Sequence, residues 1–226
     1  MRKIAISDIH GCLKSFKALL YKIAYSEKDE LYLLGDYIDR GPDSKGVIDY
    51  IWQLQYEGFF VHCLRGNHEQ MLLDGFNDPF DLQLWHNHGG VEAMASFGAK
   101  SLEEIPLEYL EWFDKLPYFI EVDEYILVHA GLNFNLPNPF DGAQSMIWIR
   151  NWYDQIKKDW LGNRIVVHGH VPTKASTIRE NLDKIEEKST MVIDGGCVYN
   201  VKELGYLFAF DLDKRQLYAQ KNIDAL

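Results

Sequence analysis

Short apolar segments alternate with amphipathic segments over the first 64 residues, and this alternation constrains the fold of the chain most strongly. The apolar stretches at 3–7, 31–34 and 59–64 predict three strands. Between them, residues 13–25 and 44–56 repeat apolar side chains at intervals of three and four, which predicts two helices. An order of strand, helix, strand, helix, strand predicts a sheet with helices packed against it.

The rest of the chain is predicted to add helices and then further strands. Residues 69–115 read as mostly helical, with interruptions at glycines. Strands are predicted at 118–122, 125–128, 164–167, 191–193, 206–210 and 216–219. We therefore predict an α/β protein (α+β in some classifications) with two mixed sheets face to face and helices outside. The sequence contains no linker or internal repeat, so residues 1–226 are predicted to form a single domain.

Charge and cysteine content argue against several functional classes. The chain has 23 basic and 34 acidic residues and a net charge of −11, whereas stable nucleic-acid binding depends on clustered lysine and arginine. Three cysteines are too few and too scattered for a disulfide framework. The sequence shows no export signal and no apolar run long enough for a membrane span. These features predict a cytoplasmic protein without a membrane partner, and they leave its oligomeric state open.

Five of the predicted strands end in Asp, His or Asn beside a glycine. The segments are Asp8-Ile9-His10-Gly11, Gly35-Asp36-Tyr37-Ile38-Asp39-Arg40-Gly41, Arg65-Gly66-Asn67-His68-Glu69, His129-Ala130-Gly131 and His168-Gly169-His170. Ligands collect at the carboxyl ends of strands in sheet-based folds, and these donor types suit manganese, iron or zinc. Six such donors exceed the three or four that one catalytic ion takes from a protein, so two ions sharing a carboxylate fit the count better.

Each segment alone has a simpler interpretation. A pair such as Asp8 and His10 is usually part of a turn, and His129 could be a buried histidine of the core. Asp36 and Asn67 could cap the helices that follow them. Separate explanations would have to coincide in all five segments, so the set as a whole predicts a metal centre.

The five segments resemble those of the calcineurin-like metallophosphoesterases, and within them the phosphoprotein phosphatase branch in its short bacterial and phage form. The stretches 146–150 and 193–199 are similar to that branch as well, so the resemblance runs from Lys3 to about Asn200. It implies a four-layer α/β/β/α sandwich that holds two divalent ions. Manganese is the first expectation, with iron, zinc or cobalt as alternatives.

The resemblance also implies a role for each conspicuous side chain. It assigns one ion to Asp8, His10 and the bridging Asp36. It assigns the other ion to Asp36, Asn67, His129 and His170. A hydroxide between the ions would attack phosphorus in line.

Further roles concern proton transfer and binding of the substrate. His68 would be the general acid that protonates the leaving group, and Asp39 would orient it. Arg40, Arg150 and Asn67 would bind the substrate phosphate, because guanidinium groups match phosphate oxygens in a bidentate way.

Three positions depart from the pattern or have no clear place in it. Pro172 stands where other branches carry a second histidine, so only His170 is assigned to a metal and His168 is predicted to be structural. His88 replaces an asparagine of the family, and its role is open. Cys197 is likewise left without a role.

The resemblance implies hydrolysis of phosphate monoesters, most of all phosphoserine and phosphothreonine in proteins, because residues 37–41 match that branch. A dinucleoside polyphosphate hydrolase, acting on diadenosine tetraphosphate, is the alternative, since these enzymes share nearly all the segments. The partner would then be a phosphorylated protein or a small phosphoester. A catalytically inactive regulatory module on the same fold is the third possibility, although such a module should have lost ligands.

Overall fold

The protein alternates strands and helices in its first third and places most of its remaining helices between strands. The computed structural model describes residues 1–224. Its strands are β1 (Arg2–Ile6), β2 (Asp29–Leu33), β3 (Phe60–Cys63), β4 (Phe119–Val122), β5 (Tyr125–Val128), β6 (Ile165–His168), β7 (Thr190–Val192), β8 (Tyr206–Asp211) and β9 (Gln216–Lys221). Its helices are α1 (Leu13–Lys22), α2 (Ser44–Tyr56), α3 (Asn67–Asp74), α4 (Pro79–Trp85), α5 (Val91–Phe97), α6 (Leu107–Lys115), α7 (Ala143–Trp148), α8 (Lys158–Leu161), α9 (Ala175–Asp183) and α10 (Ile185–Lys188).

The strands form two mixed sheets. The first has the order β3-β2-β1-β8-β9, in which β1, β2 and β3 are parallel and β8 and β9 are antiparallel to their neighbours. The second has the order β4-β5-β6-β7, in which β5, β6 and β7 are parallel. Each sheet therefore contains three adjacent parallel strands, whose carboxyl ends lie at the same edge of that sheet.

Alternation of side chains along the strands places one core on each side of the first sheet. In β1, Ile4 and Ile6 pack with residues of α1, α2 and α6, whereas Ala5 packs with residues of the second sheet. This is the alternation of a strand buried on both faces. Phe208 and Phe210 of β8 complete the layer between the sheets.

The outer face of the second sheet is covered by the segments that follow β5. Val166 of β6 points to this side and packs with Phe134, Trp152 and Leu161 of α8, while its neighbour Val167 points between the sheets. The predicted architecture of two facing mixed sheets flanked by helices is thus confirmed.

The predicted strands all occur, with ends within two residues of those expected, because buried strands appear as short apolar runs. The four helices α7–α10 were not predicted. Three of them have only six or four residues, which is too short for a helical period to show. None of the helices within residues 1–224 has the length and apolar character that crossing a membrane requires.

Candidate active site

Six of the ten predicted site residues lie on turns that follow parallel strands and have an unusual backbone conformation. Positive φ angles occur at Asp8 (51°), His10 (45°), Asp36 (55°), Asp39 (72°), Arg40 (67°) and His170 (69°). They are half of the 12 non-glycine residues with positive φ in the described part of the chain. Such conformations cost about 1 kcal/mol or more each and persist where surrounding contacts fix them. The strained backbone therefore occurs at the strand ends where the sequence predicts the site.

Glu69 supplies several of the contacts that fix this backbone. Its buried carboxylate accepts the backbone N–H of Asp36 (2.9 Å), Tyr37 (2.8 Å) and Gly66 (2.9 Å). It thereby ties the turn after β2 to the start of α3. The sequence contains Glu69 in its third segment but gives it no role, because its partners in the turn after β2 are 31 to 33 residues away.

Replacing Glu69 with alanine is expected to lower the free energy of unfolding by about 3 kcal/mol, since three buried N–H groups lose their acceptor. Urea denaturation of the purified variant measures this loss. Glu111→Ala is the control, because the Glu111 side chain is 55% exposed and pairs only with Lys115 at the surface. That control should change stability by no more than about 0.5 kcal/mol. Equal losses in the two variants would contradict the bracing role of Glu69.

His10 and His129 each direct one ring nitrogen toward the carboxylate of Asp36. His10 Nδ1 lies 2.8 Å from the carbonyl oxygen of Ile38, and His129 Nδ1 lies 2.8 Å from that of Leu34. A carbonyl oxygen only accepts, so Nδ1 carries a proton in both rings, and Nε2 is the nitrogen of each ring that is available to a ligand. His10 Nε2 is 3.5 Å from Asp36 Oδ2, and His129 Nε2 is 3.4 Å from Asp36 Oδ1. Asp36 therefore lies between the two histidines, with one carboxylate oxygen toward each.

Asn67 and His170 complete the half of the centre that contains His129. Asn67 Oδ1 lies 2.9 Å from His129 Nε2 and 2.9 Å from His170 Nδ1. The amide oxygen and His129 Nε2 both act as acceptors, so their lone pairs face each other near the Asp36 carboxylate. A cation between them would satisfy both, and the carboxylate, imidazole and amide donors suit a divalent metal. The residues present thus fit a metal centre.

Two compact groups of ligand atoms overlap at Asp36. Asp36, His129 and His170 form one group, and His10, Asp36 and His68 form the other, with all atoms of a group within 4.8 Å of one another. His68, rather than the predicted Asp8, completes the second group. Asp36, the predicted bridging residue, is the one residue that belongs to both groups.

Asp8 lies beside these groups, in contact with the last histidine segment. Its two carboxylate oxygens accept the backbone N–H of His170, each at 3.1 Å. Gly169 allows this approach, since a Cβ at that position would lie 1.9 Å from Asp8 Oδ2. Asp194 is a further buried carboxyl group, and the charges of Asp8 and Asp36 add to burial in raising its pKa well above the usual range. The sequence segment containing Asp194 was noted, but no role was assigned to it.

His68 is held by a buried carboxylate and an indole. Its Nδ1 lies 2.6 Å from Asp39 Oδ2, and Trp85 Nε1 donates to both oxygens of Asp39 at 3.0 Å. His68 Nε2 lies 3.9 Å from Asp36 Oδ2, so the free edge of the ring faces the centre. Trp85 was missed at the sequence level because it is 46 residues from Asp39.

The two predicted phosphate-binding arginines also reach the centre. Arg40 Nη1 lies 2.9 Å from His10 Nε2, and Arg150 Nε donates to His170 Nε2 at 3.2 Å. Arg150 is exposed and Arg40 is half-buried, so solvent reaches the guanidinium groups more readily than the ligand atoms. The structure brings all ten predicted site residues into one connected cluster.

Burial governs the electrostatics of this cluster. It raises the pKa of Asp36 well above the usual range, and the charges of Asp8 and Glu69 add to the effect. Burial likewise lowers the pKa values of His10 and His68 well below the usual range, with nearby positive groups contributing. It lowers the pKa of His170 to about 2. Buried carboxyl groups crowded together in this way are stabilised by bound cations.

The helices that follow β2 and β3 have Asp43 and Gly66 at their N-cap positions, not Asp36 or Asn67. Helix α2 is capped by Asp43, which accepts from Gly46, and α3 begins at Gly66 with Glu69 as its acceptor. Asp36 thus does not cap α2, the helix that follows it, and Asn67 does not cap α3, although Asp36 Oδ1 accepts the backbone N–H of His68 in the first turn of α3. His129 is fully buried, yet its Nε2 faces ligand atoms rather than apolar neighbours.

The remaining positions lie around the cluster. His168 projects to the outer face of the second sheet, where its Nε2 is 3.3 Å from the Tyr153 hydroxyl and burial lowers its pKa to about 4. His88 is exposed on the turn after α4. Cys197 is buried beside Cys12, and this contact raises the pKa of its thiol well above the usual range.

A family model described as calcineurin-like phosphoesterase matches residues 1–208, from β1 into β8. Among curated proteins, the chain is similar to the asymmetrical bis(5'-nucleosyl)-tetraphosphatase PrpE of Oceanobacillus iheyensis. The two are 28% identical over 229 aligned residues, which cover 90% of this chain and 87% of that protein. A symmetrical bis(5'-nucleosyl)-tetraphosphatase of Buchnera aphidicola is 32% identical over 57% of this chain, and the match spans only 43% of that relative.

Two solved structures show the same fold. A structure described as a candidate diadenosine tetraphosphatase superposes with a TM-score of 0.70 at 23% identity, over 99% of this chain and 95% of that chain. A protein serine/threonine phosphatase from Saccharomyces cerevisiae, with similarity to human phosphatase PP5, superposes with a TM-score of 0.69 at 13% identity. That match covers all of this chain and 81% of the yeast chain.

Proposed function

This chain belongs to the calcineurin-like phosphoesterase family, and we propose that it hydrolyses dinucleoside tetraphosphates such as diadenosine tetraphosphate. The observation that carries this proposal is the similarity to the asymmetrical tetraphosphatase of O. iheyensis, which extends over 90% of this chain and 87% of that enzyme. From the sequence alone, phosphoproteins were the favoured substrates and dinucleoside polyphosphates the alternative. The relatives support the alternative better than that first interpretation.

The family's metal centre is dinuclear, and the donor set of this chain suits two divalent ions. We assign Asp8, His10 and Asp36 to one ion and Asp36, Asn67, His129 and His170 to the other, with manganese as the expected metal. When bound, such ions supply a nucleophilic water at neutral pH and neutralise phosphoryl oxygens. The carboxylate of Asp36 holds the two sets of ligands together, since each of its oxygens faces a different histidine.

His68 is proposed to hold the proton that the leaving oxygen takes. Its Nδ1 is fixed by Asp39 at 2.6 Å, so its Nε2 edge is directed to the centre. Trp85 keeps Asp39 in place through two hydrogen bonds, and the hydroxyl of Ser44 accepts from the Asp39 backbone. Orientation of a catalytic imidazole by a buried carboxylate is a common arrangement for proton transfer.

Arg40 and Arg150 are proposed to bind phosphate on opposite sides of the centre. Arg40 contacts the histidine of one half of the centre, and Arg150 contacts the last histidine of the other half. A guanidinium offers two parallel N–H groups to phosphate oxygens. Two such groups suit a substrate that carries several consecutive phosphates, and Asn67 would assist at the phosphate nearest the metals.

The test compares two substrates on the same preparation. Manganese-loaded protein is given diadenosine tetraphosphate and a phosphothreonine peptide at equal concentration, with a chelator-treated sample as control. Faster hydrolysis of the dinucleotide, lost with the chelator, is the expected result. Faster hydrolysis of the peptide would instead support the protein phosphatase interpretation. Two bound ions without activity on either substrate would favour the inactive module.

A further inference from the structure

A cavity of about 470 Å³ lies next to the proposed metal centre. One wall is formed by residues 86–89 of the turn between α4 and α5 and by Glu92 in the first turn of α5, and the other wall is formed by Val198 and Tyr199. Cavities of about 300–1,000 Å³ are typical of small-molecule sites. Neither wall contributes a metal ligand or the proposed acid, and Arg40 is the lining residue to which a role has already been assigned.

Arg40 connects this cavity to the centre. It lines the cavity, and its Nη1 reaches His10 Nε2 at 2.9 Å. Its backbone N–H donates to Gly89 of the opposite segment at 3.4 Å. Gly89 permits that contact because its φ is 110° and a Cβ would lie 2.4 Å from the Arg40 nitrogen. A ligand with phosphate near the metals would therefore pass Arg40 and enter this cavity.

The cavity walls offer aromatic rings. Tyr199 is 38% exposed although it is a large aromatic residue, and the His88 ring is exposed on the other wall.

We propose that this cavity binds a nucleoside of the substrate, with the base stacked on Tyr199. The inference rests on the proposed function, because it names the part of a dinucleotide that the metal centre cannot recognise. Aromatic side chains stack on bases of any sequence. Arg40 is the cation of the lining, whereas Glu92 is acidic. Phosphates therefore lie toward Arg40, and the uncharged nucleoside lies beyond it.

The test uses two ligands that differ only in the base. Manganese-loaded protein is titrated calorimetrically with AMP and with ribose 5-phosphate. The expected affinity for AMP exceeds that for ribose 5-phosphate by about 10- to 100-fold. Tyr199→Ala abolishes most of this advantage, whereas Tyr199→Phe keeps it within about threefold because the ring remains. Tyr21→Ala, at an 89% exposed tyrosine on α1, is the matched control and keeps the full advantage.

A kinetic readout extends the test to the complete substrate. In Tyr199→Ala, the ratio of kcat/KM for diadenosine tetraphosphate to that for p-nitrophenyl phosphate is expected to fall by about 10- to 100-fold, mainly through KM. Circular dichroism checks the fold of each variant. If Tyr199→Ala does not fold, His88→Ala on the opposite wall serves as the second variant and should lower the same ratio.

The outcomes separate this inference from the proposed function. Equal affinity of the wild-type protein for AMP and ribose 5-phosphate would overturn the nucleoside site, and so would an AMP advantage that survives both wall variants. An AMP advantage that depends on Tyr199, without any hydrolysis of diadenosine tetraphosphate, would uphold the site and refute the proposed function. Hydrolysis of the dinucleotide with no effect of either variant would uphold the function and refute the site.

Discussion

Replacing His68 with asparagine is expected to lower kcat on a phosphothreonine peptide by about 10²–10³ while both metal ions remain bound. The expected loss follows from the position of the ring. Its Nδ1 is held by Asp39, and its Nε2 faces the centre 3.9 Å from Asp36 Oδ2. Asparagine keeps a polar group beside Asp39 but cannot deliver a proton. The backbone N–H of residue 68 still donates to Asp36, so the ligands keep their support.

The size of this loss should depend on the leaving group. An alkoxide leaving from phosphothreonine depends strongly on a proton from the acid, whereas a nucleotide phosphate or p-nitrophenolate is less basic and depends on it less. We therefore expect the loss on diadenosine tetraphosphate or p-nitrophenyl phosphate to be about tenfold or less. Rates on the three substrates, with metal content from plasma mass spectrometry, give the comparison.

His62→Asn is the matched control for this prediction. The His62 side chain is 44% exposed on β3, where it stacks on Tyr32 and lies 3.9 Å from Glu30, neither of which is a proposed ligand. This control should keep its rate on every substrate. A loss in His68→Asn that is the same for good and poor leaving groups would argue against an acid role. Loss of one metal ion would instead make His68 a ligand, as its place in a compact group with His10 and Asp36 allows.

The sequence was sufficient for the fold and for the set of residues in the cluster because both depend on local patterns. Buried strands appear as apolar runs, and polar residues next to glycines mark their ends. Glu69 and Trp85 were not assigned because their partners come from distant parts of the chain, and single residues carry no sign of such contacts. Their roles required the turn after β2 to be placed against α3 and α4.

The choice of substrate class was beyond the sequence for a different reason. The segments that bind metal and phosphate serve any phosphoester, so residues 37–41 could not distinguish a phosphoprotein from a dinucleotide. Discrimination must come from groups that contact the rest of the substrate. Tyr199 and His88 lie at the rim next to Arg40, and neither belongs to a segment whose residue types indicate a ligand.

Replacing Asp36 with asparagine is expected to lower kcat/KM by more than about 10³ on every phosphoester and to reduce the metal content below two ions per chain. The reason is its shared position, since Asp36 belongs to both compact groups of ligand atoms. An amide has one oxygen acceptor and cannot offer a negative oxygen to each half. Asp159→Asn, at an exposed position on α8, is the control and should keep both metal and activity.

The same substitution should have the opposite effect on the stability of the metal-free protein. Burial, together with the charges of Asp8 and Glu69, raises the pKa of Asp36 well above its ordinary value of 3.8. Near neutral pH the folded protein must either keep this carboxylate charged against repulsion or protonate it, and both disfavour folding. Asparagine removes that cost, and its Oδ1 can still accept from the His68 backbone. We expect the metal-free variant to be about 1 kcal/mol more stable than the metal-free wild type.

The stability difference between metal-free Asp36→Asn and the metal-free wild type should depend on pH. The unfolded carboxyl group titrates near 3.8 and the folded one at higher pH, so the folded state binds the proton more tightly. The metal-free wild type therefore loses stability as pH rises from about 4 through the folded pKa, whereas Asp36→Asn lacks this loss. The advantage of the variant should thus shrink as pH falls toward 4.

Urea denaturation in chelator between pH 4 and pH 7 measures this stability difference. Adding manganese at pH 7 should stabilise the wild type far more than the variant. A variant that is less stable than the wild type in chelator at pH 7 would show that Asp36 supports the fold without metal.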